Sequence, residues 1–435
     1  MKALGLDIGT TTISAAVLER EDGNVCKAKT IANQCFIETG NEWERVQDAD
    51  RIMEKALAVA QEMTDTFEDI ETIGLTGQMH GILYYDSEGV CVSPLYTWQD
   101  QRGNLKEDGR SLVEEIREVL GVDAATGYGL VTHLYNRRHG LVPEEAEGFC
   151  TIPDYLGMKL TGRKKPLVHI SMAASTGLFD SQKLCYMEEA FEKMGIGDDV
   201  SMLPEVTGAF ATIGTFRNIP VTCAIGDNQA SFLGSAGLTP NAVLVNMGTG
   251  GQISILSDQY FTAPGIEARP LMPGRYLLAG SSLCGGRAYA ILEKFFRSFA
   301  GEIGAGEDAL YDVLGRLAEK GAQMEDPMAA VTTFSGTRTD PSLRGSISNI
   351  SEDNFTPASL TYAVLDGMAQ ELYEMYETIH AGCGITAEHL TASGNGLRMN
   401  PQLQEIFRRK FHADLTMSRY QEEAACGAAV SSYIS

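Results

Sequence analysis

Positive charge is scarce in this chain of 435 residues, in which 34 Lys and Arg face 58 Asp and Glu. The formal net charge of -24 disfavours a nucleic-acid backbone or an anionic membrane as a partner, because both are themselves negative. We therefore expect no nucleic-acid partner and no membrane partner. Any phosphate site must be built locally, against the negative field of the whole chain.

Paired cysteines and long apolar runs are also missing. The nine cysteines are scattered without a Cys-x-x-Cys pair, and no segment approaches the roughly 20 apolar residues that span a membrane. No apolar signal segment precedes the first strand-like stretch, MKALGLDIGTTT. These absences favour reduced thiols and predict a cytoplasmic protein.

Hydrophobic residues make up 44% of the chain, enough for a sizeable core in two or three domains. Short apolar runs that end in glycine alternate with longer amphipathic segments, which predicts an α/β fold. We expect strands at 3–8, 72–76, 221–225, 242–247 and 390–393. Apolar stripes with helical spacing predict core faces on three helices, at 112–120, at Ile291, Phe295, Phe296 and Phe299, and at 360–379 after Pro357.

A degenerate repeat divides the chain in two. Residues 3–18 read ALGLDIGTTTISAAVL and residues 242–256 read AVLVNMGTGGQISIL. Each copy is an apolar strand, Asp or Asn, an apolar residue, a Gly-Thr turn and a second apolar strand. Two copies near the starts of the two halves predict two similar domains, at 1–237 and 238–435.

The turn in each copy suits phosphate. In Asp7-Ile8-Gly9-Thr10-Thr11-Thr12, glycine permits a tight turn, and hydroxyls and N–H groups can hold phosphate oxygens. The Asp7 carboxylate can hold a Mg²⁺ ion that binds phosphate in turn. The second turn, Gly248-Thr249-Gly250-Gly251, has no carboxylate. Either turn alone is also typical of an ordinary hairpin, whereas two that face each other would hold phosphate between the domains.

Two further segments carry side chains suited to hydroxyl groups. GLTGQMHG at 74–81 follows a predicted strand and places Gln78 and His80 two residues apart, although a lone His is often structural. TWQDQR at 97–102 combines Asp100 and Arg102 with an aromatic ring, which suits a polyhydroxylated ligand. The alternative for this segment is a solvated turn around a buried Trp.

Two strand ends complete the set. Asp227 follows an apolar strand that ends in glycine, the position of a helix N-cap but also of a general base presented to a substrate. TASGNGLRMNPQLQ at 391–404 is a strand, a Gly-Asn-Gly turn and a helix, whose exposed backbone can pack against an adenine ring.

In this order the motifs resemble the FGGY family of carbohydrate kinases, over essentially the whole chain. The ordered set is more specific than any single turn. It comprises DIGTTT at 7–12, GQMHG at 77–81, TWQDQR at 97–102, PDYLGMKLTG at 153–162, STGLFD at 175–180, GDNQAS at 226–231, NMGTG at 246–250, CGGRAYAILEKF at 284–295, FSGTRTDPSLRG at 334–345, GNGLRMNPQLQ at 394–404 and EEAACGAAV at 422–430.

The resemblance implies two ribonuclease-H-like domains of the actin-like ATPase fold beside a deep cleft, the N-terminal one binding sugar and the C-terminal one nucleotide. It implies ATP and Mg²⁺ as cofactors and a small-molecule sugar as the partner. Asp227 matches the catalytic base, which also contacts the sugar, and Asp7 matches the acid near Mg²⁺. The sugar positions match Gln78, Met79, His80, Asp100 and Arg102, and the ATP positions match Thr10, Thr11, Gly248, Thr249, Gly285, Gly286, Gly394, Asn395, Gly396 and Asn400.

The chain departs from the family at Ser14, where many members carry Lys or Arg. TGYGLVT at 126–132, TWQDQR and MAASTGLF at 172–179 resemble the sedoheptulokinase branch more than xylulokinase-like members. The resemblance thus implies phosphorylation of a ketose at its terminal primary hydroxyl, sedoheptulose ahead of D-xylulose.

Two other classes of protein remain as alternatives. A sugar-sensing protein on the same fold would bind sugar without kinase turnover, but it would have no need of the acid at Asp227. An ATPase of the actin or chaperone type would not carry GQMHG, TWQDQR and GDNQAS together. Either a monomer or a homodimer is compatible with the sequence.

Overall fold

The computed structural model describes residues 1–306, 308–337, 340 and 342–434. Within them, a six-stranded sheet is built from the first 226 residues, in the spatial order β5-β6-β4-β1-β2-β3. Strands β1, β4 and β6 are parallel, and β1, β2 and β3 form an antiparallel meander. The strands are β1 (Lys2–Ile8), β2 (Thr12–Glu19), β3 (Val25–Ala32), β4 (Ile70–Gly77), β5 (Thr212–Phe216) and β6 (Ile219–Gly226).

A second six-stranded sheet has the order β9-β10-β8-β7-β11-β12. The parallel pairing follows the same order in both sheets. In the first sheet β1 pairs with β4 and β4 pairs with β6, and in the second sheet β7 pairs with β11 and β11 pairs with β12. The predicted repeat is therefore confirmed as two hairpins at equivalent places in two related sheets. The strands are β7 (Val243–Met247), β8 (Gly251–Ser257), β9 (Ile266–Met272), β10 (Arg275–Ser282), β11 (His389–Ser393) and β12 (Asp414–Met417).

Helices and short strand pairs fill the connections. The α-helices are α1 (Ala49–Thr66), α2 (Leu112–Leu120), α3 (Gly129–Arg138), α4 (Ile152–Thr161), α5 (Ile170–Ser175), α6 (Glu188–Lys193), α7 (Asp227–Ala236), α8 (Gly285–Glu302), α9 (Tyr311–Gly321), α10 (Pro357–Cys383), α11 (Asn395–Arg398), α12 (Pro401–Phe411) and α13 (Glu423–Ser431). The short pairs are Val46–Gln47 with Leu95–Tyr96, Leu83–Tyr85 with Gly148–Cys150, Lys106–Glu107 with Arg110–Ser111, Leu167–His169 with Glu205–Thr207, Phe179–Asp180 with Cys185–Tyr186, and Ala329–Val331 with Ser346–Ser348.

Local chemistry sets the limits of the helices predicted from sequence. Helix α2 begins with a capping box between Ser111 and Glu114 and ends at Gly121, whose φ is 69°. Helix α10 begins at Pro357, where the Thr356 side chain accepts a hydrogen bond from a backbone N–H, and ends at Gly384. These helices and all five predicted strands are confirmed.

The chain packs as two compact units, and neither is one continuous segment. The first unit contains residues 1–234, Arg269–Gly274 and residues 420–434, and the second contains Ser235–Ala268 and Arg275–Arg419. The boundaries 1–237 and 238–435 expected from sequence therefore differ from the packing, because two later segments return to the first unit.

Close backbone contact explains why the C-terminal helix belongs to the first unit. Helix α13 lies on β1 and β4 at two glycines, Gly5 and Gly74. A Cβ atom at Gly5 would lie 1.8 Å from the Ala425 carbonyl oxygen, and one at Gly74 would lie 1.7 Å from that of Ala428. Only glycine permits this approach, so the first sheet carries a docking surface for α13 that sequence periodicity does not reveal.

One predicted core face is wrong. On α8, Ile291, Phe295 and Phe299 are 43%, 60% and 60% exposed, and only Phe296 of the predicted stripe packs partly against the core. The buried residues of α8 all lie within 285–293, so only its first half is covered by the core. Periodicity marks an apolar face, whereas the extent of the neighbouring core decides how much of that face is buried.

None of the helices in the described part of the chain combines the length and the apolar character needed to cross a membrane. All nine cysteines are free thiols.

Candidate active site

Three neighbouring parallel strands of the first sheet end at the same edge. Gly77, the last residue of β4, lies opposite Ile8 of β1 on one side and Gly226 of β6 on the other. The residues that follow these strands therefore emerge side by side, as ligand-binding loops do at the carboxyl edge of a parallel sheet. The first Gly-Thr turn, the Gln78–His80 segment and Asp227 are brought together in this way.

Asp7 lies at this edge as the penultimate residue of β1, opposite Ser14 of β2. Burial, together with the negative charges of Asp227 and Glu422, raises the pKa of Asp7 to about 7. Ser14, the position where the family often has a cation, is buried, and its hydroxyl lies 3.0 Å from that of Thr30. This side of the edge therefore gains no positive charge from β2.

Asp227 is the first residue of α7, and its Oδ1 accepts a hydrogen bond from Asn228 Nδ2 at 2.9 Å. Burial raises the pKa of Asp227 to about 6, against the opposing charge of Arg269 and hydrogen bonds from Asn228. Arg269 belongs to the returning segment, where the Pro270 carbonyl accepts from Gln229 Nε2 at 3.1 Å. A carboxylate with such a pKa is mostly ionised at neutral pH yet basic enough to take a proton.

The donor set at this edge fits Mg²⁺. In the described part of the chain, no three His, Cys, Asp or Glu side chains gather closely enough to hold a metal ion. Mg²⁺, however, usually keeps several waters and binds through one or two carboxylates plus substrate phosphates. Asp7 is a half-buried carboxylate near the negative charge of Asp227, an arrangement that a divalent cation would stabilise.

The first turn and the two predicted sugar segments form one hydrogen-bonded network. Thr10 Oγ1 donates to Gln78 Oε1 at 3.3 Å and accepts from Trp98 Nε1 at 2.9 Å. Gln78 Nε2 donates to Gln47 Oε1 at 3.0 Å, and Gln47 Nε2 donates to the Thr10 carbonyl at 2.9 Å. Gln78 is buried, so its amide is oriented by protein partners, while Thr11 is exposed in the same turn.

His80 is fixed by both its backbone and its ring. Its φ is 76°, its N–H donates to Ser175 Oγ at 3.0 Å, and its Nδ1 lies 2.7 Å from the Ser175 carbonyl oxygen. Because a carbonyl only accepts, Nδ1 is a donor and carries a proton. The ring stacks on Tyr128, with centroids 4.9 Å apart. Met79 is buried beside it, 3.5 Å from Asn228 Nδ2.

Asp100 and Arg102 are also brought together, but both side chains are almost fully buried. Arg102 Nε and Nη2 donate to the two carboxylate oxygens of Asp100, which also accept from the backbone N–H groups of Arg45 and Arg102. The guanidinium lies 4.3 Å from the Tyr96 ring centroid. In this arrangement each side chain neutralises the charge of the other and pairs with its hydrogen-bonding groups.

In the second unit the same principle gathers the predicted nucleotide residues. The turn after β7 accepts hydrogen bonds from the start of α8, Gly286 N–H to the Gly248 carbonyl at 2.9 Å and Arg287 N–H to the Thr249 carbonyl at 3.0 Å. A Cβ at Gly285 would lie 2.4 Å from the Gly250 backbone. The glycine turn after β7 and the start of α8 therefore form one backbone surface.

The Gly-Asn-Gly turn lies beside it, because β11 is parallel to β7 and places Ser393 opposite Asn246. A Cβ at Gly394, whose φ is 83°, would lie 2.5 Å from the Met247 carbonyl oxygen. Gly396 makes a similar approach at 2.7 Å, and Asn395 between them is the first residue of α11. Asn400 caps α12, its Oδ1 accepting from Leu403 N–H at 3.1 Å.

Sequence reasoning overlooked three residues at this site. Arg269 acts on Asp227 from a segment without any recognisable motif, so no signal in the sequence points to it. Tyr128 and Ser175 lie in stretches that mark a branch of the family, and their contacts with His80 become evident only in the fold.

Comparison with known proteins agrees with this arrangement. Residues 2–234 match the N-terminal domain, and residues 243–434 the C-terminal domain, of the FGGY family of carbohydrate kinases. These two matches define an enzyme class, the carbohydrate kinases, with two sheet-containing domains. The chain belongs to the FGGY family and is an ATP-dependent carbohydrate kinase.

Among curated relatives, sedoheptulokinases from Mus musculus and Homo sapiens are 28% and 27% identical to the chain, and each alignment covers 98% of the chain and 96% of the relative. A glycerol kinase from Streptococcus pyogenes is 24% identical, over 98% of the chain and 86% of the relative. The predicted placement near the sedoheptulokinase branch is therefore confirmed.

Solved structures share the fold. A xylulose kinase from Rhodospirillum rubrum superposes with a TM-score of 0.82 at 21% identity, covering 99% of this chain and 90% of that one. A glycerol kinase from Plasmodium falciparum, solved with ADP, has a TM-score of 0.81 at 20% identity, covering 99% and 88%. The predicted α/β fold of the actin-like ATPase type is confirmed.

Proposed function

We propose that this enzyme phosphorylates a ketose, sedoheptulose in preference to D-xylulose, at the terminal primary hydroxyl farthest from the carbonyl. The single observation that carries the proposal is the common edge of β1, β4 and β6, from which Asp7, the Gln78–His80 segment and Asp227 emerge together. The sedoheptulokinase relatives add support for the longer sugar.

Asp227 is proposed as the general base. Its carboxylate takes the proton of the attacking hydroxyl while that oxygen forms a bond to the γ-phosphorus of ATP and the bond from phosphorus to the β-phosphate oxygen breaks, releasing ADP. Burial and the raised pKa of about 6 support this role, because the group is ionised before the reaction and accepts the proton during it.

The sugar is proposed to contact Met79, His80 and Asp227 directly. The imidazole ring of His80 is proposed to contact a sugar hydroxyl, and the contacts with Ser175 and Tyr128 hold the ring in one plane. Gln78 is assigned to the same site through the Thr10 network. Asp100 and Arg102 are proposed to shape this site from behind, since each is almost fully buried.

The nucleotide side is proposed to use the Gly248–Thr249 turn, Gly285 and Gly286 for phosphates, and Gly394, Asn395, Gly396 and Asn400 for adenosine, with Thr10 and Thr11 from the first turn. Bound Mg²⁺ would neutralise phosphate charge, and Asp7 is the residue proposed to hold it. Positioning and charge neutralisation carry most of the rate in such transfers. The nine free thiols favour the cytoplasm as the place of action.

A coupled ADP-release assay over sedoheptulose, D-xylulose, glycerol and an aldose tests the proposal. We expect the largest kcat/KM with sedoheptulose and phosphate on the terminal carbon, located by ³¹P–¹H NMR of the product. The Asp227→Asn variant should lose roughly 10²–10⁴-fold in kcat while binding sugar and ATP in calorimetry.

Each outcome has a separate meaning. A larger kcat/KM with D-xylulose would overturn the substrate choice and leave the kinase assignment intact. An Asp227→Asn variant with more than about a tenth of wild-type kcat would overturn the base assignment. Sugar binding without any turnover of the wild-type protein would favour a sugar sensor.

A further inference from the structure

The strongest unexplained feature of the first unit is a single short helix that contacts one site residue, His80, and the residue directly before another, Asp227. Helix α5, Ile170–Ser175, carries Ser171 and Ser175 one turn apart, so both hydroxyls lie on the same face. Ser171 accepts a hydrogen bond from the residue before Asp227, and Ser175 accepts one from His80. Both serines are buried.

The contact of Ser171 is made at the end of β6. Gly226 N–H donates to Ser171 Oγ at 3.0 Å, and Ser171 Oγ lies 2.8 Å from His169 Nδ1. The Ser171 N–H donates to the same nitrogen at 3.2 Å, which makes His169 the N-cap of the helix. Since Nδ1 accepts from the backbone, the Ser171 hydroxyl must donate to it and can only accept from Gly226.

His169 is suited to stay in this role at any working pH. Its ring is fully buried and stacks on Phe210, with centroids 5.2 Å apart. Burial lowers the pKa of His169 to about 3, so the ring remains neutral and Nδ1 remains an acceptor. The direction of the hydrogen bonds from Gly226 through Ser171 to His169 is therefore set.

The contact of Ser175 is made at the other end of α5. Its hydroxyl donates to the Met172 carbonyl at 2.7 Å and accepts from His80 N–H at 3.0 Å. Its own carbonyl accepts from His80 Nδ1 at 2.7 Å. Beyond the helix, a Cβ at Gly177 would lie 3.0 Å from Tyr128 Cδ2, so the chain after α5 also contacts the ring that stacks on His80.

We propose that α5 is a positioning element that sets the distance between the general base and the sugar-binding histidine, with Ser171 holding the backbone from which Asp227 projects and Ser175 holding His80. Ser171 and Ser175 are positioning residues, because each acts through another residue rather than on the substrate. The proposal rests on the roles proposed above for Asp227 and His80.

Separate kinetic effects of the two serines follow from this arrangement. Ser171→Ala leaves the buried Gly226 N–H without its acceptor and loosens the base, so kcat should fall about tenfold with little change in sugar KM. Ser175→Ala removes the acceptor for His80 N–H, so sugar KM should rise about three- to tenfold with kcat largely retained.

The test measures kcat and KM for the best sugar substrate in both variants, with Ser431→Ala as the matched control. Ser431 is equally buried in the first unit, and its hydroxyl donates to a carbonyl of its own helix, that of Ala428. Ser171→Thr, which keeps a hydroxyl, should recover most of the lost kcat. If Ser171→Ala does not fold, Ser171→Cys is measured in its place, and its kcat is expected to lie between the kcat of the wild type and that of Asp227→Asn.

A lowered kcat in Ser171→Ala together with a raised sugar KM in Ser175→Ala supports the proposal. A general loosening of α5 would instead change the same kinetic parameter in both variants. Equal effects on one parameter, or effects no larger than that of Ser431→Ala, would overturn it. Failure of the proposed function is distinguishable, since it would appear as an active Asp227→Asn variant whatever the serine variants do.

Discussion

Arg102 and Asp100 form a two-pronged ion pair inside the first unit, with Nε–Oδ1 and Nη2–Oδ2 distances of 2.7 Å and 3.2 Å. Arg102 is 1% exposed and Asp100 is 0% exposed. A charge at such depth depends on its partner, because the free energy of moving it out of water is recovered only through the pair and its hydrogen bonds. The pair is therefore expected to act mainly on stability.

Replacing Asp100 tests this expectation. Asp100→Ala leaves the buried Arg102 charge with the longer contact to Glu44 as its remaining ion pair, so the free energy of unfolding in urea should fall by about 3 kcal/mol. Glu44→Ala is the control, since Glu44 also contacts Arg102, at 3.3 Å, but is more exposed and leaves the pair intact. Unchanged stability together with a raised sugar KM would mean instead that Asp100 acts on the sugar.

The pH profile should report Asp227. Because its pKa is about 6 and the base must be ionised, kcat/KM should rise with pH through this value and level off above it. Arg269→Gln removes a positive charge that lowers the pKa of Asp227. The rise of kcat/KM with pH, the acid limb of the profile, should therefore lie at higher pH in this variant. Arg275→Gln, which removes a surface charge paired with Asp258, should leave the limb in place. An acid limb that is unchanged in Arg269→Gln would show that Arg269 does not act on the base.

Asp7 should determine the Mg²⁺ requirement. Asp7→Asn removes the proposed anchor, so the Mg²⁺ concentration for half-maximal rate should rise and kcat should fall, with sugar KM little changed. Glu422→Gln removes a neighbouring negative charge and should shift the Mg²⁺ titration much less. A titration of Asp7→Asn that superposes on the wild type would make Asp7 a residue of the turn alone.

Asp154 should give the protein a pH-dependent stability that is independent of catalysis. Burial raises its pKa to about 7, and its Oδ2 accepts from Thr151 Oγ1 at 2.6 Å. Between about pH 4 and 7 the unfolded residue is ionised while the folded one keeps its proton, so stability falls as pH rises, by up to about 1.4 kcal/mol per unit. Asp154→Asn removes this contribution.

The measurement is urea unfolding of both proteins at pH 5, 6, 7 and 8. The unfolding free energy of the wild type should fall relative to that of Asp154→Asn as pH rises to 7, and the difference between the two should stay constant at higher pH. A difference that is the same at every pH would show that Asp154 ionises equally well in the folded and unfolded states.

Local pattern was enough for several elements of the fold and the site. The five predicted strands are present because apolar runs ended by glycine are specified within a few residues, and α10 begins at Pro357 and ends at Gly384 for equally local reasons. The order of the motifs along the chain was enough to identify the family. The second half of α8, where Phe295 and Phe299 are exposed, could not be predicted correctly from the spacing of apolar residues. That spacing does not show where the neighbouring core ends.

The amino-acid sequence by itself determined the repeated hairpins, the glycine turns and the identity of the carboxylates, since each depends on chemistry within a short segment. The tertiary structure alone decided that Arg269 acts on Asp227, that Ser175 holds His80, and that α13 returns to the first sheet at Gly5 and Gly74. These relationships join residues far apart in the chain. They depend on strand register and on the closeness of two backbones, and neither is encoded in any one segment.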